Sequence, residues 1–297
     1  MAAVFLMASV VRAMSFSRVF VLIFVFVLSA CESLLFFPQQ QLVRSPADVG
    51  LAYADVRIAI ADGGTVSAWW LPAEGKAEAT VLFAHGNAEN ISTHLASVYW
   101  LPARGINVLL IDYRGYGQSS GEASVRGAQM DILAALQYLS AQPAQVNTPI
   151  VVLGQSIGAS LAGVAVARNG RQYPALAGVI LDAGFTGYAD IAKKVAASNW
   201  LAWSFQCLAA WAMPEGENLL DEISAISPLP LLLIHGRDDP VVPYRHAERL
   251  LAAAKQPKTL ISYEGGHIQT FSRAENRDLV AGFIRDAAER WRASRKQ

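Results

Sequence analysis

The chain has 297 residues, 53% of them hydrophobic and 16% charged, with 24 Lys plus Arg balanced by 24 Asp plus Glu. That apolar content excludes disorder over most of the length, because it supplies the surface that offsets chain entropy. Zero formal charge argues against nucleic acid as a partner, since binding it needs a basic face that releases counterions. Two cysteines make neither a disulfide framework nor a cysteine-built zinc site, and there is no HExxH motif, so no metal and no cofactor is implied.

Residues 1–30 carry Arg12 and Arg18, no acidic residue, and the apolar run VFVLIFVFVL from Val19 to Leu28. Basic residues before a short apolar run match a secretory signal, and the run is shorter than the about 20 residues a spanning helix needs. Leu28-Ser29-Ala30-Cys31 resembles a bacterial lipobox. By that resemblance the signal is cut before Cys31, which becomes the acylated first residue of the mature protein. Met14 is an alternative start, and an uncleaved signal anchor is the competing reading. Both readings put the body on a membrane of a bacterial cell envelope, facing the periplasm or the exterior. The tether is then lipid rather than charge. Residues 31–52 read as a tether, leading onto a domain over 53–293. Cys207 is left without a partner and is expected buried and inert.

The domain opens with ADVRIAI and TVSAWWLP around Asp62-Gly63-Gly64, a hairpin signal. Short apolar runs follow: ATVLFAHG, INVLLIDYRG, TPIVVLGQS, LAGVILDAG, LPLLLIHG and TLISYEGG. Between and after them lie stretches with helical periodicity, such as SVRGAQMDILAALQYLSAQ and FSRAENRDLVAGFIRDAAERW. This alternation predicts an α/β fold whose parallel sheet is covered on both faces and binds ligands at the carboxyl ends of its strands.

Gly154-Gln155-Ser156-Ile157-Gly158 directly follows IVVL and opens an alanine-rich helix, the context of a strained nucleophile elbow. Gly117-Gln118-Ser119-Ser120-Gly121 has the same spacing but lacks the strand-to-helix context, so Ser119 reads as a loop residue. A serine needs a base, and the base an orienting acid. Asp238 and Asp239 follow one strand and His267 the next, in the order Ser, Asp, His that G-x-S-x-G enzymes use. Asp182, ending LAGVILD, is a further rival for the acid.

HGNAEN, DYRGYGQSSG, GQSIG, HGRDDPVVP and GGH, spanning residues 85–267, resemble the α/β-hydrolase superfamily, in its serine-aminopeptidase-like and Bem46-like branch. The resemblance implies a mostly parallel eight-stranded sheet with helices on both faces and a short helical cap. It implies Ser156 as nucleophile, Asp239 as orienting acid and His267 as general base. It places the oxyanion donors at the backbone N–H groups of Ile157 and Asn87, with Ala88 as the alternative to Asn87. The aromatic insert 184–222, with Phe185, Tyr188, Trp200, Trp203, Phe205, Trp211 and Met213, corresponds to the cap and reads as an apolar acyl pocket.

The expected function is hydrolysis of an ester or other acyl bond of a small molecule through an acyl-enzyme. A peptidase or amidase of the same mechanism is the alternative, and a non-catalytic binding protein the third reading. His85 and His235 read as structural, His94 and His246 as exposed helix residues. Asp112 and Arg114 read as loop organisers, and Glu89 and Asn90 as helix caps. Glu215, Glu217, Asp221 and Glu222 read as residues that cap and solvate the turn after the insert.

Overall fold

The structure, a computed structural model, describes residues 35–142, 147–198, 206–211 and 213–296. The signal segment, Cys31, and Trp200, Trp203 and Phe205 of the expected cap lie outside the described residues.

Eight strands form one sheet: β1 (Ala54–Ala59), β2 (Thr65–Leu71), β3 (Ala79–Ala84), β4 (Ile106–Ile111), β5 (Ile150–Gln155), β6 (Leu176–Asp182), β7 (Leu231–Gly236) and β8 (Lys258–Tyr263). Their spatial order is β8-β7-β6-β5-β3-β4-β2-β1. β1 and β2 run antiparallel around the Asp62-Gly63-Gly64 turn, β2 pairs antiparallel with β4, and the remaining pairs are parallel. Each apolar run that reads as a strand is a strand here.

The central strands are apolar throughout because both faces are covered. In β3, Leu82 and Ala84 enter one core while Val81 and Phe83 enter the other. The first core packs against α2 (Val125–Ala141), α3 (Ile157–Asn169) and α7 (Arg245–Ala253). The second packs against α8 (Ala274–Ser294) and the turns that follow α1 (Ile91–His94). Between β6 and β7 lie α4 (Tyr188–Ser198), α5 (Gln206–Trp211) and α6 (Leu219–Glu222).

The described part of the expected tether is docked on the domain. Phe36 is buried, and Phe37–Pro38 pair in parallel with Ala88–Glu89, just beyond β3. Asn90 Nδ2 donates to the carbonyls of Gln39 and Gln41 at 3.0 and 2.8 Å, so backbone polar groups of this segment find partners on the body.

Candidate active site

Three strands deliver polar residues from their carboxyl ends. Ser156 follows β5 with φ 56° and ψ −121°, a strained conformation at the first turn of α3. Two glycines make that turn possible. A Cβ on Gly154 would lie 2.4 Å from the Gly158 carbonyl oxygen, and one on Gly158 would lie 2.2 Å from that of Ala84. The elbow packs backbone against backbone, as the strand-to-helix context predicts.

Asp239 sits in the turn after β7. Its Oδ1 accepts from the backbone N–H groups of Val241 and Val242, both at 2.8 Å. His267 follows β8, and its loop is pinned from two sides. Tyr263 donates its hydroxyl to the Gly266 carbonyl at 3.1 Å, and Thr270 donates to Asp182 at 2.7 Å. These constraints aim the imidazole: Nδ1 lies 2.7 Å from Asp239 Oδ2, and Nε2 lies 2.9 Å from Ser156 Oγ. An ionised carboxylate only accepts, so the ring proton belongs on Nδ1 and Nε2 is free to accept from the serine hydroxyl.

Burial alone would raise the Asp239 pKa. The neighbouring His235 and His267 imidazoles and the Val242 N–H outweigh it and hold the carboxyl well below its ordinary value. Asp182 behaves oppositely, because its burial outweighs its hydrogen bonds and raises its pKa. It bonds Gln155 and Thr270 rather than the imidazole, bracing β6 against the His267 loop. Asp238 is exposed. Of the three candidate acids, the geometry brings Asp239 alone to His267.

A cavity of about 500 Å³ opens over Ser156. Its apolar wall includes Phe185, Tyr188 and Ile191 from the insert, with Val242 and Ile268 from the strand-end loops. Ile157 and Asn87 both line it. Ile157 is the first residue of α3, where a helical N–H has no intrahelical acceptor. The Asn87 segment is fixed by Tyr116, whose hydroxyl donates to the Asn87 carbonyl at 2.5 Å, and by the Phe37 N–H, which donates to Asn87 Oδ1 at 3.2 Å.

Ser119 is a buried loop fastener, accepting from the Ser67 N–H and donating to the Asp112 carbonyl, both at 2.8 Å. Arg114 bridges Asp131 and Asp62 at 2.7 and 2.8 Å, and Asp112 accepts from the Ile91 N–H at 2.9 Å. Asn90 caps α1 through the Ser92 N–H at 3.0 Å. Glu89 does not cap. Its backbone is left-handed, with φ 71°, and it lines the cavity.

Four further expectations need correction. His246 is buried in α7, with Nδ1 2.9 Å from Thr186 Oγ1, because the apolar face of its helix turns inward. His94 is half-buried on the cavity wall, where burial and the neighbouring His85 push its imidazole down to about 3. Cys207 is exposed, since it lies on the short helix α5 rather than in either core. Glu217 is buried rather than solvated, held by Arg126 at 2.9 Å and Arg168 at 2.8 Å.

Sequence reasoning missed Glu89 and His94 as wall residues. A left-handed conformation at a non-glycine leaves no pattern in the sequence. His94 occupies a helix too short for periodicity to assign a face.

A mostly parallel sheet that carries a strained serine elbow at one strand end and an imidazole and a carboxylate at later ones defines the α/β-hydrolase class. The family model described as "Serine aminopeptidase, S33" matches residues 75–224, and one described as "TAP-like protein" matches 193–289. Escherichia coli YfhR is 36% identical over 241 residues, covering 76% of this chain and 78% of that protein. Schizosaccharomyces pombe bem46 is 33% identical over 213 residues, covering 70% of this chain and 68% of its own length. The Pyrococcus furiosus esterase Pf2001 shares the fold with TM-score 0.69 at 20% identity, covering 86% of this chain and 98% of that one. The chain belongs to the Bem46-like branch of the α/β-hydrolase superfamily, a membership that carries hydrolytic function.

Proposed function

We propose that the protein is a serine hydrolase that cleaves carboxylic esters with an apolar acyl group, held at a bacterial envelope membrane through acylated Cys31. The observation that carries the chemistry is the unbroken run of short contacts from Asp239 through His267 to Ser156, at 2.7 and 2.9 Å. His267 Nε2 takes the hydroxyl proton as Ser156 Oγ bonds to the acyl carbon, and Asp239 stabilises the resulting imidazolium. The Ile157 and Asn87 N–H groups face the developing oxyanion. The imidazolium then gives its proton to the leaving alkoxide, and water releases the acid by the same steps in reverse.

An ester is favoured over a peptide by the wall. The insert's carboxylates Glu215, Glu217, Asp221 and Glu222 do not line the cavity, whose wall is mostly apolar and, among the described residues, carries one carboxylate, Glu89. Glu217 and Glu222 are instead taken up by Arg168.

A fluorophosphonate probe is expected to label one serine. Ser156→Ala abolishes labelling and Ser119→Ala does not; labelling that survives Ser156→Ala rejects the assignment. Cys31→Ser is expected to block processing or release the protein from membranes, and an unchanged membrane fraction rejects acylation.

A further inference from the structure

We propose that the mouth of the cavity faces the bilayer to which the chain is tethered, and that the substrate is a single-chain acyl ester drawn from that bilayer. The inference rests on the reading above, both its serine chemistry and its membrane tether, and adds where the ester comes from.

The chain enters the described structure on the wall of the site. Leu35 and Phe37 line the cavity, and the pairing of Phe37–Pro38 with Ala88–Glu89 fixes this entry beside the Asn87 loop. Cys31 is four peptide steps before Leu35, a reach of about 14 Å at full extension. The run Val19–Leu28 ends just ahead of it. Acylation of Cys31 therefore puts the membrane interface within about 14 Å of the cavity wall, and an uncleaved anchor ending at Leu28, seven steps before Leu35, within about 25 Å.

The exposed apolar surface agrees with this placement. Phe37 is 63% exposed and Val241 46% exposed, and both line the cavity mouth. Val43 and Val49, also exposed, lie further along the same entering segment. Apolar side chains at the cavity rim suit contact with an apolar phase. The occupant here is lipid, because the adjoining tether already brings lipid there. The cavity size falls within the range for one ligand of modest size, and its apolar walls suit an acyl chain.

In the reaction, Ser156 Oγ bonds to the acyl carbon as the ester C–O bond breaks, and the alcohol leaves with the serine proton carried by His267. Water then gives hydroxide to the acyl carbon and its proton, through His267, back to Ser156 Oγ. The fatty acid returns to the bilayer through the mouth by which the ester entered.

The test uses the full chain in phosphatidylcholine vesicles, with and without a Gly/Ser linker of about 20 residues inserted between Ser33 and Leu34. Two fluorogenic esters share one leaving group: 4-methylumbelliferyl palmitate carried in the vesicles and the soluble butyrate. The linker is expected to slow palmitate turnover about ten-fold, by lowering the effective concentration of bilayer at the mouth, and to leave butyrate turnover unchanged. Equal palmitate rates with and without the linker, in protein that floats with the vesicles and still hydrolyses butyrate, overturn this inference alone; protein that does not float with them overturns the tether reading instead. Loss of both activities together with failure of Ser156 to take a fluorophosphonate overturns the underlying reading as well.

Discussion

His235 and Asp239 face each other inside one buried turn, with His235 Nε2 3.5 Å from Asp239 Oδ2 and 2.7 Å from the Val242 carbonyl. Both neighbours accept, so the ring proton sits on Nε2 and the imidazole acts as a donor that keeps the turn closed. Asp239 is held by the Val241 and Val242 N–H groups of the turn as well as by His267. Its partners explain why Asp239 rather than Asp238 meets His267: the earlier side chain is exposed, while the later one is fixed by two backbone N–H groups.

Asp239→Asn is therefore expected to lower kcat by about 10³ to 10⁴, because the amide favours the wrong imidazole tautomer. Asp238→Asn should stay within about two-fold of the parent, as changes at exposed positions usually do. Steady-state kinetics on a soluble ester decide between them. The stability consequence has a definite sign. A carboxyl held below its ordinary value in the folded state stabilises fully above the ordinary carboxylate range. That contribution is lost as pH falls through the folded value. The parent should lose stability on acidification below about pH 4, and Asp239→Asn should lose less of it.

His246 supplies a second pH dependence at higher pH. Burial, followed by the nearby Arg245 charge, pushes its imidazole down to about 4 from an ordinary 6.5. The unfolded chain takes up a proton between these values and the folded chain does not, so stability falls as pH drops from about 6.5 to about 4. The slope approaches about 1.4 kcal/mol per pH unit at most. His246→Asn offers an acceptor where Nδ1 meets Thr186 and removes the titration. Urea midpoints across this range should fall less steeply in the variant, leaving the slope that His94, held at about 3, contributes. An identical slope would assign the acid sensitivity elsewhere.

Most of the scaffold and the triad-like cluster is legible in the sequence, for physical reasons. A strand buried on both faces must be apolar along its length, as ATVLFA of β3 is, and a serine elbow must have small residues where backbones touch, as Gly154 and Gly158 do. The Ser156–His267 contact follows because both residues end strands of one parallel sheet. The wall of the cavity is not legible in this way. Whether His246 points in or out depends on the tilt of a nine-residue helix, and the docking of Phe36 depends on a groove made by residues far along the chain. Nothing in the local pattern marks Glu89 as left-handed or Asp131 as the partner of Arg114.

Glu89 allows the strain at the cavity wall to be measured. A non-glycine side chain at φ 71° costs energy that glycine avoids. Glu89→Gly is expected to stabilise the fold by about 1 kcal/mol, less whatever entropy glycine adds to the unfolded chain. Chemical denaturation reads the change directly. A destabilised variant would mean that the carboxylate, rather than the backbone, sets the energy of this position.

Gly158→Ala tests the elbow without touching any polar side chain. The added Cβ would lie 2.2 Å from the Ala84 carbonyl oxygen and 2.3 Å from that of His85. Both obstacles are backbone at the end of β3, so neither can swing aside as a side-chain tip would. Either α3 must lift from the sheet or the segment running to Asn87 must retreat. The cost is expected to reach or exceed the about 1–3 kcal/mol typical of overpacking. Ser156 should then lose fluorophosphonate reactivity even at temperatures where circular dichroism shows the fold intact. Full labelling in a stable Gly158→Ala protein would mean that the close approach of α3 to β3 does not position the serine.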